Sequence, residues 1–246
     1  MAKHSTDTSA FRFKNFSLHH HRSSMKVGTD AIILAVWAEL NSIESVLDVG
    51  SGSGIISLLL AARCNAHIHA IEIDTASVEE SAENFRNSKF NTRLSVQKER
   101  FEMHANTCSD RYDLIISNPP FFTNHSIKPK EESRKNARHV DTLNFEQLCS
   151  GVSKLLKPAG IFCLVLPHTE QEIFLKTASC FHLHLQKQMI IFPIKGQTAN
   201  RVNMQLGFEK PKEIAIENYT IRENDLAFTA QHIHFLKDYY FGWDSF

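Results

Sequence analysis

The chain of 246 residues lacks several features that would place it in a membrane or secreted class. It has no run of about 18 apolar residues, which a membrane-spanning helix requires. Its first residues, MAKHSTDTSAFRF, contain no apolar segment of the kind found in secretory signals. Its five cysteines form no C-x-x-C pair, which argues against a disulfide framework and against a zinc site. We therefore expect a reduced cytoplasmic protein with no membrane partner and no metal.

The chain also lacks net charge, since 27 basic side chains balance 27 acidic ones. This balance alone would discourage a nucleic-acid partner, but the charges are unevenly distributed. Three segments are basic, with net charges of +3, +3 and +4 over residues 1–30, 128–139 and 186–212. The pattern favours one positive face that contacts phosphates, although three solvated loops pointing in unrelated directions would produce the same pattern.

Short β-branched segments alternate with helix-period segments through the middle of the chain. The predicted strands are residues 45–50, 67–73, 93–97, 112–118 and 161–167, and the predicted helices are residues 54–63, 75–88, 144–156 and 169–180. This alternation predicts an α/β fold with a doubly wound, mostly parallel sheet of seven strands. Residues 184–194 and 200–209 are predicted to pair antiparallel at the sheet edge. We expect residues 1–246 to form one domain, in which residues 1–40 are a cap segment.

A glycine-rich loop, Asp48-Val-Gly50-Ser-Gly52-Ser-Gly54, joins the first of these strands to the following helix. Glycine lets the backbone turn tightly and approach a ligand closely. Glu72 and Asp74 end the next strand, at about the spacing expected of a carboxylate that holds a ribose diol. No Lys-Ser/Thr follows the glycines, which excludes a P-loop. The loop therefore suits a nucleoside without a phosphate, such as S-adenosylmethionine (SAM), and the alternative is a structural strand–helix turn.

The segment Asn118-Pro119-Pro120-Phe121 follows the fourth predicted strand, where an open α/β sheet places its ligand crevice. The two prolines remove two N–H donors, and the Asn118 side chain adds a carbonyl acceptor. Phe121 offers a face on which a planar group can stack. An exocyclic amine is a poor nucleophile because its lone pair is delocalised. Accepting both of its hydrogens frees that pair to attack a sulfonium methyl, so these four residues are the candidate catalytic loop.

The motifs DVGSGSG, IEID and SNPPF resemble those of the amino-methyltransferases with the class I, SAM-dependent, Rossmann-like fold. Two further segments, MKVGTD at residues 25–30 and ARHVDTLNFEQL at residues 137–148, are similar to the tRNA1(Val) (adenine(37)-N6)-methyltransferase family. The resemblance extends over essentially the whole chain. It implies transfer of a methyl group from SAM to N6 of adenine 37 in a tRNA anticodon loop. An unpaired loop base costs less to extrude into the enzyme.

The resemblance also implies roles for individual residues. Gly50, Gly52 and Glu72 would hold SAM, and the catalytic loop would receive the extruded adenine. Further candidate SAM contacts are Lys26, Thr29, Asp30, Asp48, Gly54, Asp74, Glu99 and Asn118. Thr29 or Asp30 would accept hydrogen bonds from the ammonium of SAM, or would cap the following helix, and both roles can hold together.

One position departs from the family pattern. Many relatives have an aspartate after the third strand that binds the adenine amine of SAM, whereas this chain has Arg100 near that place. Arginine cannot accept a hydrogen bond. The acceptor is then Glu99 or a backbone group, or the alignment is shifted by one residue.

Several basic side chains are candidate contacts with the RNA, and a solvated face is the alternative for each: Lys128, Lys130, Arg134, Lys135, Arg138, Lys195 and Arg201. His19, His20 and His21 are adjacent and cannot converge on one metal ion without a tight turn, so we predict a solvated or RNA-facing loop there.

The expected partner is tRNA, and the expected oligomeric state is a monomer. The alternative functions are methylation of guanine N2 in ribosomal RNA, methylation of a protein glutamine, and SAM binding without catalysis.

Overall fold

The structure is a computed structural model that describes residues 10–23, 27–119 and 143–243. Within these ranges the strands are β1 (Phe11–Arg12), β2 (Ser17–Leu18), β3 (Ser45–Val49), β4 (His67–Glu72), β5 (Leu94–Lys98), β6 (Tyr112–Ser117), β7 (Leu156–Pro167), β8 (His184–Ile194), β9 (Arg201–Gly207) and β10 (Ala215–Arg222). The helices are α1 (Thr29–Trp37), α2 (Ile55–Arg63), α3 (Thr75–Arg86), α4 (Phe101–Thr107), α5 (Phe145–Leu155), α6 (Gln171–Cys180) and α7 (Ala230–Leu236).

One large sheet carries most of the strands, in the order β10-β8-β9-β7-β6-β3-β4-β5. Strand β9 runs antiparallel to both of its neighbours, and the other neighbouring pairs are parallel. The central strands are apolar on both faces because helices cover both sides of the sheet. One core cluster includes Val46, Leu114 and α1, and the other includes Leu47, Ile115 and α5. The doubly wound, mostly parallel α/β fold is thereby confirmed.

The edge of the sheet differs from the prediction in two respects. The sheet has eight strands rather than seven, because Ala215–Arg222 pairs in parallel with β8 and becomes the outermost strand. Residues 184–194 and 201–207 do pair antiparallel, but the antiparallel strand β9 lies inside the sheet because its other side pairs with β7. Sequence patterns identify strands, whereas their lateral order depends on contacts between distant segments.

Two elements near the termini pack together outside the sheet. The hairpin β1–β2 is antiparallel, and the backbone N–H of Lys14 between its strands donates to the Tyr239 carbonyl over 2.9 Å. Aromatic rings join the same regions, with the centroid of Phe13 5.4 Å from that of Tyr240. Phe13, Phe16 and Leu18 are buried in the core cluster that contains α1. This packing anchors residues 10–18 to the body of the protein.

Candidate functional site

The predicted glycine loop, acidic pair and Asn-Pro segment meet at one edge of the sheet. They follow β3, β4 and β6, and these three strands are adjacent and parallel. The carboxyl ends of parallel strands lie on the same edge, which is where open α/β sheets bind their ligands. The Ser117 hydroxyl also donates to the Val49 carbonyl over 2.8 Å, which ties the ends of β6 and β3 together.

The glycine loop turns away from β3 through residues with positive φ. Gly50 has φ of 75° and Gly52 has φ of 53°, a conformation in which side chains are strained. A Cβ placed on either residue would meet no atom of the described residues within 4 Å. These two residues therefore border open space. Gly54 differs, because a Cβ there would lie 2.5 Å from the Phe85 ring, so its lack of a side chain allows α2 to pack against α3.

Glu72 is fixed beside this loop by backbone donors. Its Oε2 accepts from the Gly52 N–H over 2.9 Å, and its Oε1 accepts from the N–H groups of Ile73 and Asp74 over 2.8 and 2.9 Å. The carboxylate is therefore held at the end of β4. Ile73, the next residue, is 49% exposed at the same edge. An apolar side chain there provides a surface for a planar group, and Ile73 was not among the predicted site residues.

Among the described residues, three buried side-chain oxygens at this edge find no hydrogen-bond partner: Asp48 Oδ1, Ser51 Oγ and Asn118 Oδ1. Buried polar atoms in proteins are nearly always satisfied, so each such atom requires an explanation. The three atoms belong to the end of β3, the glycine loop and the residue after β6. A polar ligand bound between these elements would satisfy them. Ser51 was not predicted, although it lies inside the glycine motif.

Asp48 is fully buried, and its Oδ2 accepts from the Ser57 hydroxyl over 2.6 Å. Burial raises the pKa of Asp48 to about 7, against the lowering effect of its hydrogen bonds to Ser57. A buried carboxyl with one free oxygen and this pKa is poised to ionise when a cation binds beside it.

The start of α1 lies near the same edge. Asp30 Oδ2 accepts from Arg201 Nε over 2.8 Å, and Arg201 begins β9. Helix α1 begins at Thr29, with Gly28 at the N-cap position and no side-chain cap. The prediction that Thr29 or Asp30 caps this helix is therefore wrong. Both residues stay candidates for a ligand contact.

Three other predicted residues have local partners. Asp74 Oδ2 accepts from the backbone and the hydroxyl of Ser77 and thereby caps α3. Glu99 Oε2 lies 2.8 Å from His104 Nδ1, and Lys195 Nζ lies 3.1 Å from Glu223 Oε2. Arg100 occupies the N-cap position of α4. Roles for Glu99 and Asp74 in SAM binding stay predictions.

Comparisons with known proteins agree with this geometry. The family model described as "Methyltransferase small domain" matches residues 20–170. A tRNA1(Val) (adenine(37)-N6)-methyltransferase from Phocaeicola vulgatus is 36% identical over 230 residues, which cover 94% of this chain and 97% of that protein. A protein of the same name from Pectobacterium carotovorum is also 36% identical, with coverage of 94% and 93%. This chain belongs to the tRNA1(Val) (adenine(37)-N6)-methyltransferase family.

Solved structures support the fold. A predicted O-methyltransferase from Agrobacterium tumefaciens superposes with a TM-score of 0.66 at 16% identity, covering 85% of this chain and 96% of that one. A ribosomal protein L11 methylase from Lactobacillus delbrueckii has a TM-score of 0.51 at 16% identity, covering 74% and 77%. As a member of its family, the protein is a class I methyltransferase whose methyl donor is SAM.

Several predicted residues lie outside the described part of the chain. They are Lys26, Pro120, Phe121, Lys128, Lys130, Arg134, Lys135 and Arg138. Among the described residues, no group of three or more His, Cys, Asp or Glu side chains could hold a metal ion. None of the helices in those ranges is long and apolar enough to cross a membrane.

Two polar residues of α3 that reach the N-terminal segment were not predicted from the sequence. Glu80 and Asn84 are both buried, and they hydrogen-bond to the backbone of residues 19–23. Buried Glu and Asn on a helix otherwise rich in polar residues leave no distinct signal in the sequence. Their partners in residues 19–23 are 57 or more residues away along the chain.

Proposed function

We propose that this protein transfers the methyl group of SAM to N6 of adenine 37 in the anticodon loop of a tRNA, and that the tRNA is tRNA1(Val). The observation that carries the proposal is the Asn118 side-chain oxygen at the end of β6, which is buried and has no partner within the described part of the chain. It lies on the same sheet edge as the glycine loop and Glu72. The names of the relatives, which match nearly the whole chain, support the base, the atom and the tRNA.

The residues present fit SAM. Gly50 and Gly52 leave open space next to the loop, and Glu72 is a fixed carboxylate that can accept hydrogen bonds from ribose hydroxyls. Asp48 offers a buried oxygen near the loop for a cationic group. When bound, SAM supplies an electrophilic methyl group on a sulfonium. Ile73 gives the edge an apolar surface suited to a nucleobase.

Asn118 would orient the nucleophile. Its Oδ1 can accept one hydrogen of the adenine amine, and the backbone after it continues through Pro119, which has no N–H to compete. Accepting the amine hydrogens localises the nitrogen lone pair and aims it at the methyl group. Correct positioning of two reactants can supply about 7–11 kcal/mol of the barrier, so the reaction needs no strong base. The amine proton leaves to solvent after the C–N bond forms.

Two basic side chains in the described part of the chain, Lys195 and Arg201, support binding of the RNA at this edge. Lys195 follows β8 and Arg201 begins β9, and the loop between them is joined to the end of β7 by a 3.1 Å hydrogen bond from His168 to Asn200. Both cations have acidic partners, Glu223 and Asp30. When the RNA binds, its phosphate groups would replace these carboxylates as the ion-pair partners of Lys195 and Arg201. The basic residues of 128–138 stay candidate RNA contacts.

Transfer of a labelled methyl group from SAM to total tRNA tests the proposal, with tRNA taken from a strain that lacks this gene. The expected product is N6-methyladenosine confined to one tRNA species. Labelled N2-methylguanosine in ribosomal RNA would instead support the first alternative, and labelled protein glutamine would support the second. The names of the relatives favour neither.

Replacement of the acceptor oxygen tests the mechanism directly. We expect Asn118→Ala to lower kcat by about 10²–10³-fold, the usual loss when one preorganised polar contact to the reacting group is removed. Although Asn118 is also a candidate SAM contact, its assignment to the adenine amine predicts that SAM affinity measured by calorimetry changes little. Asn91→Ala is the matched control, because Asn91 is exposed just before β5, at the opposite edge of the sheet. Full activity of Asn118→Ala would show that Asn118 does not orient the amine, and absence of activity in every RNA with intact SAM binding would indicate a binding module.

A further inference from the structure

Helix α3 holds the segment that precedes α1 through a buried carboxylate. Glu80 Oε1 accepts from the backbone N–H groups of His21 and Arg22 over 2.7 and 2.9 Å, and its Oε2 accepts from the N–H of Ser23 over 2.9 Å. The side chain of Glu80 is fully buried. Three successive N–H groups that converge on one carboxylate form an anion-binding turn of the kind found in phosphate sites. Here the anion is part of the protein.

Burial alone would raise the pKa of Glu80, but the hydrogen bonds from Arg22, Ser23 and His21 outweigh it and hold the pKa below its usual value. A carboxylate that accepts several backbone N–H groups is strongly stabilised in its charged form. Glu80 is therefore ionised at neutral pH. Removing the Glu80 carboxylate lowers the stability of the protein, because the backbone N–H groups that donate to it would stay buried without a hydrogen-bond partner.

Asn84, one helical turn after Glu80, connects the same segment to the glycine loop. Its Oδ1 accepts from the N–H of His19 over 2.9 Å, and its Nδ2 donates to the carbonyls of His19 and Ser53 over 2.8 and 2.9 Å. Ser53 lies between Gly52 and Gly54 in the loop. Residues four apart lie on one face of a helix. One face of α3 therefore contacts both the N-terminal segment and the cofactor loop.

Most of these contacts come from the backbone of residues 19–23, and the buried side chain of Ser23 also hydrogen-bonds to Glu80. Leu18 is fully buried, whereas His21 and Arg22 are exposed. Apolar side chains therefore hold the N-terminal segment in the core as far as Leu18, and hydrogen bonds from α3 hold residues 19–23. Helix α1 begins at Thr29, six residues after Ser23, with the proposed SAM contacts Thr29 and Asp30. Residues 19–23, which precede α1 in the chain, are therefore held by α3.

We propose that Glu80 and Asn84 are positioning residues for SAM binding, which clamp residues 19–23 beside the glycine loop and thereby place the start of α1 over the cofactor site. The proposal rests on the cofactor roles proposed above for the loop and for Thr29 and Asp30. Neither Glu80 nor Asn84 needs to touch SAM. Their contribution is to keep one wall of the site formed before SAM arrives, which removes an ordering cost from binding.

Helix α3 supplies its own matched control. Glu83 also contacts this segment, through an ion pair with Arg22, but the side chains of that pair are 42% and 48% exposed. Exposed ion pairs contribute little to stability. Glu83→Ala removes a carboxylate from the same helix and the same segment without disturbing the backbone hydrogen bonds. A difference between Glu80 and Glu83 variants therefore reports on the buried clamp rather than on charge.

The experiment compares the unaltered protein with Glu80→Ala, Glu80→Gln, Asn84→Ala and Glu83→Ala. Hydrogen exchange of residues 19–23 reports on the clamp, calorimetric titration with SAM reports on affinity, and exchange in β3 and β6 reports on folding. We expect Glu80→Ala, which removes all three of these backbone hydrogen bonds, to accelerate exchange in residues 19–23 and to weaken SAM binding by about tenfold, because only part of their free energy contributes to ordering the SAM site. The kcat at saturating SAM should change by less than about threefold, because the variant affects cofactor binding and not the later chemistry.

Glu80→Gln retains an oxygen that can accept hydrogen bonds from two of the three N–H groups. We therefore expect the exchange rate of residues 19–23 and the SAM affinity to lie between those of Glu80→Ala and those of the unaltered protein. Glu83→Ala should match the unaltered protein. Unchanged exchange in Glu80→Ala would overturn the clamp. Accelerated exchange with unchanged SAM affinity in both Glu80→Ala and Glu80→Gln would overturn the positioning role and leave the proposed methyl transfer intact. Absence of SAM binding in the unaltered protein would remove the proposed function as well.

Discussion

At the scale of single residues, Asp48 is the group whose charge state SAM is expected to change. Its pKa is raised to about 7, chiefly by burial, and one of its oxygens has no partner among the described residues. In the protein without SAM, this raised pKa makes the stability depend on pH. The contribution of Asp48 to the free energy of unfolding is fully present when the pH is below the pKa of Asp48 in the unfolded chain, and it is lost as the pH rises through about 7. A cation bound beside it would favour the carboxylate and lower this pKa.

We therefore predict that SAM binding becomes tighter as the pH rises from 6 to 8 (roughly one pH unit on each side of this pKa), because below about 7 binding must release the Asp48 proton. Calorimetry in two buffers with different ionisation enthalpies would count the released protons. Asp48→Asn should remove the pH dependence and weaken binding at pH values above about 7. A flat profile with no proton release in the unaltered protein would show that Asp48 does not face the cation.

At the scale of secondary-structure elements, the packing of α2 on α3 depends on the absence of a side chain at Gly54. A Cβ there would lie 2.5 Å from Phe85 Cε1 and 3.3 Å from Ser81 Cβ, and the backbone has φ of +86°. Gly52 has a positive φ too, but its Cβ position is open. Alanine at residue 54 therefore tests the packing between α2 and α3, whereas alanine at residue 52 tests the space available to the ligand.

We predict that Gly54→Ala lowers the free energy of unfolding by about 1–3 kcal/mol through overpacking, in addition to about 1–2 kcal/mol of backbone strain. Gly52→Ala should cost only the backbone strain, yet it should weaken SAM binding because the added methyl occupies the open space. Urea denaturation and SAM titration of both variants provide the measurement. Equal losses of stability would mean that α2 and α3 shift to accommodate the side chain at residue 54.

At the scale of the whole molecule, the two edges of the sheet differ in the proposed contact with RNA. Lys195 lies at the edge that carries the glycine loop, whereas Lys210 follows β9 at the opposite edge and is exposed. If Lys195 neutralises a phosphate, it must leave Glu223 and release a counterion from the RNA. The position of a lysine on the molecule, and not the net charge of zero, then decides its effect.

We predict that Lys195→Ala weakens tRNA binding and reduces the slope of log affinity against log salt concentration by about 1. Lys210→Ala, the control with the same loss of charge, should leave the slope unchanged. Filter binding at several salt concentrations gives both slopes. Equal slopes in the two variants would place the RNA away from the β8–β9 loop.

The sequence by itself determined the local elements and the main motifs. The pattern predicts a helix over residues 75–88, capped by Asp74 or Thr75, and a strand over residues 184–194. The structure confirms both elements and has Asp74 as the cap. It also identifies the loops after β3 and β6, because a buried strand followed by glycine or proline is visible in consecutive residues. These features depend on interactions within a few residues of one another.

Only the tertiary structure decided which distant groups meet. Asp30 and Arg201 are 171 residues apart in the chain, and Glu80 is 57 residues from Ser23, so no local pattern could pair them. The addition of β10 as an eighth strand and the burial of β9 between β7 and β8 likewise follow from competition among strand partners. Such contacts form because folding brings remote polar groups into the same desolvated region, where each must find a partner.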